Sequence, residues 1–416
     1  MNDLSDNAST GRRGFLKTTG AAAAAASLPA FYIGTAAAQQ AVKIGMVIAK
    51  QGPFAQQGAD LAKGAQIAFE EAASKVLGRP AQLIWLDEPN PQGAVQSISK
   101  LIEEEKVIAV LGGTNSATTL AMGTEALRAK VPFISVNGAA REITGKDCNP
   151  FMFRSQPSVP VFAQAMAPHL LALGKKWYFI VGSFAFGEDV ISTFSDILKV
   201  NGGTVVGADR APVATTDYSS FMLKARAAKP DVVISGAANV EPLVKQMKEL
   251  GLTPNIMIAG PAVSDTDLWS SSADAIAGIY GKTWFYNDPN NSPTEKAFAA
   301  AYRAKEGKPP SDRVYFGWLS MKMLLAAVDH AKSVEPIKIT QALVDVRIND
   351  GGLGIQFRKG DHQLIRRLIV AQARKPNPND KWDILDIKPV NAPNLAALDK
   401  LYGDPVAGGC KMAPIA

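Results

Sequence analysis

Between Val107 and Thr119 the chain reads VIAVLGGTNSATT. An apolar run, Val107 to Leu111, stops at Gly112-Gly113 and passes into Thr114, Asn115, Ser116, Thr118 and Thr119. A short run apolar on both faces, then glycines, then hydroxyl and amide residues, predicts a buried parallel strand, a tight turn and a helix start. Parallel strands need long crossovers, so this one stretch already points to an α/β fold. Free backbone N–H groups at such a helix start favour an anion, and a Ser or Thr side chain can orient it. In open α/β sheets, ligands sit at the carboxyl ends of strands. No GxxxxGK[ST] spacing is present, so the turn is not a phosphate loop. The expectation is a turn that holds the carboxylate of a small organic ligand.

The rest of the chain repeats that alternation. Val42 to Ala49 is strand-like, Gly52-Pro53 marks a turn, and Leu61, Ala65, Ala68, Phe69 and Ala72 fall at helical spacing. Ala81 to Leu86 predicts a second strand and Pro91 to Glu105 a second helix, while Pro132 to Val136 predicts a fourth strand. After Phe153-Arg154-Ser155 the pattern restarts. Helices are expected at Val161–Leu173, Gly187–Val200, Tyr218–Ala228 and Val240–Leu250, and strands at Trp177–Gly182, Thr204–Val206, Val232–Ser235, Ile256–Ala259 and Ile279–Trp284. Helices Thr294–Lys305, Val314–Ala331 and Ile337–Val344 follow. Ile355–Arg358 and Leu364–Ala373 then alternate like an antiparallel pair, and residues 374–416 read mostly as ordered loop. With 416 residues and 47% apolar content, at least two domains are expected.

The N-terminus reads as an address. Gly11-Arg12-Arg13-Gly14-Phe15-Leu16-Lys17 precedes an alanine-rich run and Ala36-Ala37-Ala38, the layout of a signal peptide cleaved near Ala38. The paired arginines before Phe-Leu-Lys resemble a twin-arginine export signal. Pro29 interrupts the apolar run, which speaks against a retained membrane anchor. The implied compartment is the periplasm. Cys148 and Cys410 are the only cysteines, and in an oxidising space they are expected to pair, two buried free thiols being the alternative. A net charge of +6, without basic clusters interleaved with aromatics, gives no nucleic-acid footprint.

From Val42 to about Arg374, four motifs in order resemble the type I periplasmic solute-binding proteins of ABC importers, in particular the branched-chain amino-acid and aromatic-acid receptors. They are KIGMVIAKQGPFAQQGADLAKGAQIAFEE, IAVLGGTNSATT, VPFISVNGAAREIT and FAFGEDV. The resemblance implies two Rossmann-like α/β lobes with a ligand cleft between them and three crossings, near Ser155–Ser158, Thr283–Tyr286 and Gly352–Phe357. It assigns residues 1–38 to the signal peptide, 39–156 and 284–353 to the first lobe, 157–283 and 354–390 to the second, and 391–416 to a tail. It further implies a monomer that captures its ligand by lobe closure and presents it to a membrane permease, with no cofactor and no metal.

Carried over by residue, the carboxylate-receiving serine falls on Ser116, preceded by Asn115, and a second ligand turn falls on Asn137, Gly138 and Ala139. Ala139 stands where the family often has Thr. Gln57 stands where an aromatic is common, with Phe54 nearby. The second lobe offers Phe184, Phe186, Ser235 and Asn239. At Gly260-Pro261-Ala262, amino-acid receptors usually carry an acid that pairs with the ligand's ammonium, and Ala262 lacks it. A buried ammonium without a counter-charge costs several kcal/mol. An amino-acid ligand therefore needs another acid, Glu241 and Asp265 being candidates. A ligand without an amine, such as an aromatic, keto or hydroxy acid, is the simpler reading, with an amino-acid or amide ligand as the alternative.

Each of these residues also has a plainer role. Ser116 can simply cap its helix, Phe184 and Phe186 can be core, Asn137 can serve only the turn, and Arg141 is either a carboxylate clamp or a solvated side chain. Catalytic constellations are missing: no HExxH, GxSxG or Cys–His arrangement appears among three histidines, and no metal-ligand spacing is visible. A sensory domain of the same fold and a hydrolase remain as readings from other classes.

Overall fold

The computed structural model describes residues 40–349, 352–390 and 392–415. The expected signal peptide lies outside them. Strand β1 (Val42–Val47) leads into helix α1 (Ala55–Glu71), then a hairpin of β2 (Lys75–Val76) and β3 (Arg79–Leu86), and α2 (Pro91–Glu103). Next come β4 (Val110–Gly112), α3 (Ser116–Ala129), β5 (Phe133–Ser135) and β6 (Met152–Arg154). Their sheet has the order β2-β3-β1-β4-β5-β6, parallel except at the β2–β3 hairpin. β4 is shorter than the apolar run predicts. The preceding residues still bond to β1, through Ile108 N–H to Lys43 and Ala109 C=O from Gly45.

α4 (Val159–Leu173) opens the second unit. β7 (Lys176–Gly182), α5 (Ala185–Val200), β8 (Thr204–Ala211), α6 (Ser219–Ala228), β9 (Val232–Gly236), α7 (Val240–Glu249), β10 (Met257–Pro261), α8 (Asp265–Trp269) and β11 (Gly278–Lys282) follow. The chain then returns to the first lobe with α9 (Pro293–Glu306), α10 (Asp312–Ala331) and α11 (Pro336–Leu343). α10 lies directly against α1. A Cβ on Gly64 would fall 1.8 Å from the Val314 carbonyl oxygen, and one on Gly317 would fall 1.9 Å from that of Leu61. Glycine at both points is what lets the two backbones touch.

The last part departs most from the sequence expectation. β12 (Arg347–Ile348), β13 (Ile355–Phe357) and β14 (Leu364–Ile365) form a small antiparallel sheet of their own. That sheet leans on the first lobe's edge, with Gln363 bridged to Arg154. The run Leu364–Ala373 is thus not one strand. It breaks at Arg366–Leu368, where buried Arg366 donates to the Thr283 carbonyl and to Glu295, and Arg367 pairs with Asp288. Only β15 (Ile369–Ala373) joins the second lobe's sheet, so in terms of sheet membership the third crossing follows the expected Gly352–Phe357 stretch. Nor is the tail all loop. β16 (Leu385–Pro389) pairs antiparallel with β15, and α12 (Leu395–Tyr402) is capped by Asn394. The second sheet runs β16-β15-β11-β10-β9-β7-β8. Cys148 and Cys410 are disulfide-bonded, their Cα atoms 5.6 Å apart, tying the tail to the loop before β6. Among the described residues no helix is long and apolar enough to cross a membrane.

The two parallel sheets share one topology. In each, the first strand lies between two strands that follow it in sequence, so the order reverses there: between β1 and β4 in the first lobe, between β7 and β9 in the second. Such a reversal splays the following loops apart and opens a crevice at the strands' carboxyl ends.

Candidate ligand cleft

The loops leaving β1, β4 and β5 face those leaving β7, β9 and β10 around a cavity of about 510 Å³, including its mouth. Ten sequence-predicted residues line it: Phe54, Gln57, Asn115, Ser116, Asn137, Ala139, Phe184, Phe186, Ser235 and Ala262. Gly138 and Asn239 are not part of the lining. Gly138 is backbone packing, since a Cβ there would meet Thr119 Oγ1 at 2.6 Å, and Asn239 is the residue preceding α7.

Ser116 is released from capping by its neighbour. Asn115 Oδ1 accepts from the N–H groups of Ala117 (3.0 Å) and Thr118 (3.1 Å), which is the cap of α3. Ser116 Oγ accepts instead from Ala139 N–H and Ala140 N–H, both at 3.1 Å, locking the two turns together. With both acceptor positions filled, the buried hydroxyl can only donate, and it borders the cavity. The Ser116 N–H, first in its helix, has no intrahelical acceptor either.

The expectation that the turns' backbone N–H groups also face the ligand needs correction. Those of Gly113 and Thr114 go to Glu88, at 3.2 and 2.7 Å, and those of Ala139 and Ala140 go to Ser116. Burial pushes the Glu88 carboxyl up to about 8, against the pull of hydrogen bonds from Thr114, Thr118 and Gly113. Asn137 Nδ2 donates to Gln57 Oε1 (3.1 Å) and to the Thr114 carbonyl (2.8 Å), while its buried Oδ1 has no partner. Gln57 thus holds Asn137 in place.

Phe54 of the first lobe meets Phe184 of the second edge-on at 6.0 Å, and Phe184 stacks with Phe186 at 5.9 Å. These three half-buried rings form an apolar wall across both lobes. Arg141 is neither a ligand clamp nor free in solvent. Its backbone N–H donates to Asp189 on α5 at 2.7 Å, and its guanidinium reaches Asp189, Ser192 and Thr193. The first lobe's second turn is thereby fastened to the second lobe's first helix.

Opposite lies a polar group that linear reading missed. Arg313, at the start of α10, is buried and lines the cavity. It donates to the Ala262 carbonyl and to Asp312, and its Nε–H has no acceptor. Beneath it the fully buried Lys282 ammonium lies 2.9 Å from Asp265 and 2.8 Å from Asp312. Burial opposes the charge on Lys282, yet the two aspartates together hold its pKa above the usual value. Glu241 pairs with Lys245 on the surface and Asp265 with Lys282, so neither candidate acid reaches the cavity. Asp267, two residues along α8 from Asp265, does. Thr114, Gly236, Ala237, Val240, Pro261 and Val263 also line it, as does Ala238 on the turn after β9. No group of three or more His, Cys, Asp or Glu suited to a metal occurs among the described residues.

Residues 41–379 match the family described as periplasmic binding protein. The chain belongs to this family. It is 27% identical over 355 residues to Leu/Ile/Val-binding protein homolog 7 of Brucella suis biovar 1, covering 80% of this chain and 89% of that one. The fold matches a branched-chain amino-acid ABC transporter ligand-binding protein of Burkholderia xenovorans LB400 (TM-score 0.73, 25% identity, 89% of this chain and 99% of that). It also matches a solute-binding protein of Rhodopseudomonas palustris BisB5 in complex with 3,4-dihydroxybenzoic acid (TM-score 0.76, 20% identity, 84% and 98%). This periplasmic binding protein accordingly has the type I fold, and the two matched structures are binding components of ABC transporters.

Proposed function

We propose that this binding protein, exported and cleaved near Ala38, captures a small carboxylate-bearing organic molecule in the cleft and hands it, as a monomer, to a membrane permease. The observation that carries this reading is Ser116: a buried hydroxyl whose acceptor positions are both filled and whose proton is left for a ligand oxygen. The adjoining N-terminus of α3 favours negative charge there. The ring wall of Phe54, Phe184 and Phe186 suits an aromatic or other apolar body. Lobe closure brings that wall together, so the ligand favours the closed form through contacts it makes only there. An aromatic, keto or hydroxy acid fits these features. So does an amino acid, for which Asp267 is the specific argument.

Thermal-shift screening of organic acids, followed by titration calorimetry on Ser116→Ala, tests the assignment. A charge-assisted hydrogen bond contributes about 1.5–3 kcal/mol, so affinity should fall roughly ten- to a hundredfold. The variant also leaves two backbone N–H groups without their acceptor, so its melting temperature is recorded alongside and binding is read on folded protein. Unchanged affinity would refute Ser116 as the anchor.

A further inference from the structure

We propose that a hollow behind the second ligand turn, on the seam between the lobes, is a second binding site, built around Arg154 for a small inorganic oxyanion such as phosphate or sulfate. The hollow encloses about 720 Å³, including its mouth, and shares no lining residue with the ligand cleft. Arg141, Thr144 and Arg154 come to it from the first lobe, Ser158 from the start of α4 in the second, and Arg358 from the end of β13. The tail adds a further wall at Pro405 and Gly408, beside the Cys148–Cys410 disulfide that anchors it. Arg154 holds the carbonyl of Ala140, whose N–H holds Ser116 Oγ, so an ion here stands directly behind the turn that carries the ligand anchor.

Charge pairing singles out Arg154. It is 1% exposed, and its nitrogens donate to Gln363 Oε1 (2.8 Å), the Ala140 carbonyl (2.7 Å) and Thr144 Oγ1, all of them neutral. Among the described residues no carboxylate is joined to it. Arg358 is matched by Asp361 through two bonds of 2.7 Å, and Arg141 by Asp189. Burial pulls Arg154 down to about 10, against the attraction of Asp361 and Asp189, which already serve those other two arginines. It still carries its charge at neutral pH. A cation taken out of water without a partner ion is unfavourable, and an anion arriving beside it relieves that penalty.

The uncommitted groups around it are donors. A guanidinium has five N–H groups, of which Arg154 uses three. Thr144 Oγ1 accepts from Arg154 and keeps its own proton to donate. Ser158 leaves α4 without a side-chain cap, and its hydroxyl has no partner among the described residues. The two acids in the wall do not take these donors. Both oxygens of Asp361 accept from Arg358, and Asp404 is exposed to solvent and accepts from Val406 N–H. The complement of such a wall is a ligand made of acceptors that brings negative charge. Tetrahedral oxyanions are of that kind, and arginine is well suited to bind them.

The test is thermal unfolding and titration calorimetry with sodium phosphate, and separately sodium sulfate, against sodium chloride at fixed ionic strength. Each variant is compared with itself in chloride. The expected result is a saturable rise in melting temperature with either oxyanion, since an ion that binds only the folded protein stabilises it by mass action. Affinity should fall at least about tenfold in Arg154→Gln. It should fall as far in Ser158→Asp, which sets a fixed carboxylate in the wall, and persist in Ser158→Asn, which caps α4 without charge. Should Arg154→Gln not fold, the Ser158 pair decides. No saturable response, or one that Ser158→Asp keeps as fully as Ser158→Asn, overturns the proposal. A response lost in Ser116→Ala and kept in Arg154→Gln places the ion in the ligand cleft and overturns it equally.

Discussion

Glu88 is never exposed to the cavity's contents, yet it shapes the ligand turn. Its two carboxyl oxygens hold the N–H groups of Gly113 and Thr114, so the turn's shape depends on a carboxyl buried beneath it. In the unfolded chain that carboxyl titrates near 4.5, and in the folded protein burial pushes it up to about 8. Between those values the folded protein holds a proton that the unfolded chain has released. The contribution is therefore fully present below about pH 4.5 and is lost as pH rises toward 8, at about 1.4 kcal/mol per pH unit. Glu88→Gln removes the titration while keeping one acceptor. Urea unfolding of both proteins at pH 5, 6.5 and 8 should show wild type losing stability relative to the variant as pH rises. Parallel curves would show that Glu88 is ionised in the fold and that its burial does not set its protonation.

At the scale of elements, the α1–α10 contact is the tightest constraint on the first lobe. Gly64→Ala would set a methyl group 1.8 Å from a backbone oxygen, and a backbone cannot rotate aside as a side chain can. The expected loss is about 3 kcal/mol or more by chemical denaturation, although alanine is the better helix former. A loss under 1 kcal/mol would mean the helices separate freely. Neither glycine stands out along the chain, because nothing local says which face meets another backbone. The parallel core was readable for the opposite reason. VIAVLGG, WYFIVG and VVIS are apolar on both faces and end in glycine or serine, a local statement of a doubly covered strand. β16 and α12 were not readable among Pro, Asn and Gly residues, since β16 exists by pairing with β15 and α12 is set by the Asn394 cap. The site divides the same way. Ser116 and Phe184 sit at strand ends, where topology places ligands. Asp267 depends on the chain reversing after β10, where Ala262 adopts φ +58°, and Arg313 arrives only through the return crossing. Contacts made by coming back to a lobe leave no local pattern.

For the whole molecule, the question is what holds the lobes together over the cleft. Besides the contacts of Arg313 with the Ala262 carbonyl and of Asp312 with Lys282, others span it. Phe54 meets Phe184, Asp60 on α1 accepts from Thr266 on α8 at 2.8 Å, and Arg141 grips Asp189, Ser192 and Thr193 on α5. The Arg141 contact is the most informative to remove, because it touches neither the cavity lining nor either sheet's core. Its guanidinium is partly exposed (side chain 40%) while Asp189 is buried, so solvent screening reduces what the pair contributes to about 1 kcal/mol. If that energy exists only with the lobes closed, its loss lowers the closed population by about fivefold, and apparent affinity falls by a similar factor. Arg141→Ala should therefore weaken binding about fivefold, mostly through faster release, and raise the radius of gyration of the unliganded protein in small-angle scattering. Ser116→Ala should weaken binding without changing that radius. The two variants separate grip on the ligand from grip of lobe on lobe. An Arg141→Ala protein with unchanged radius and unchanged release rate would show that closure is held by the other contacts across the cleft, with the ion pair only following.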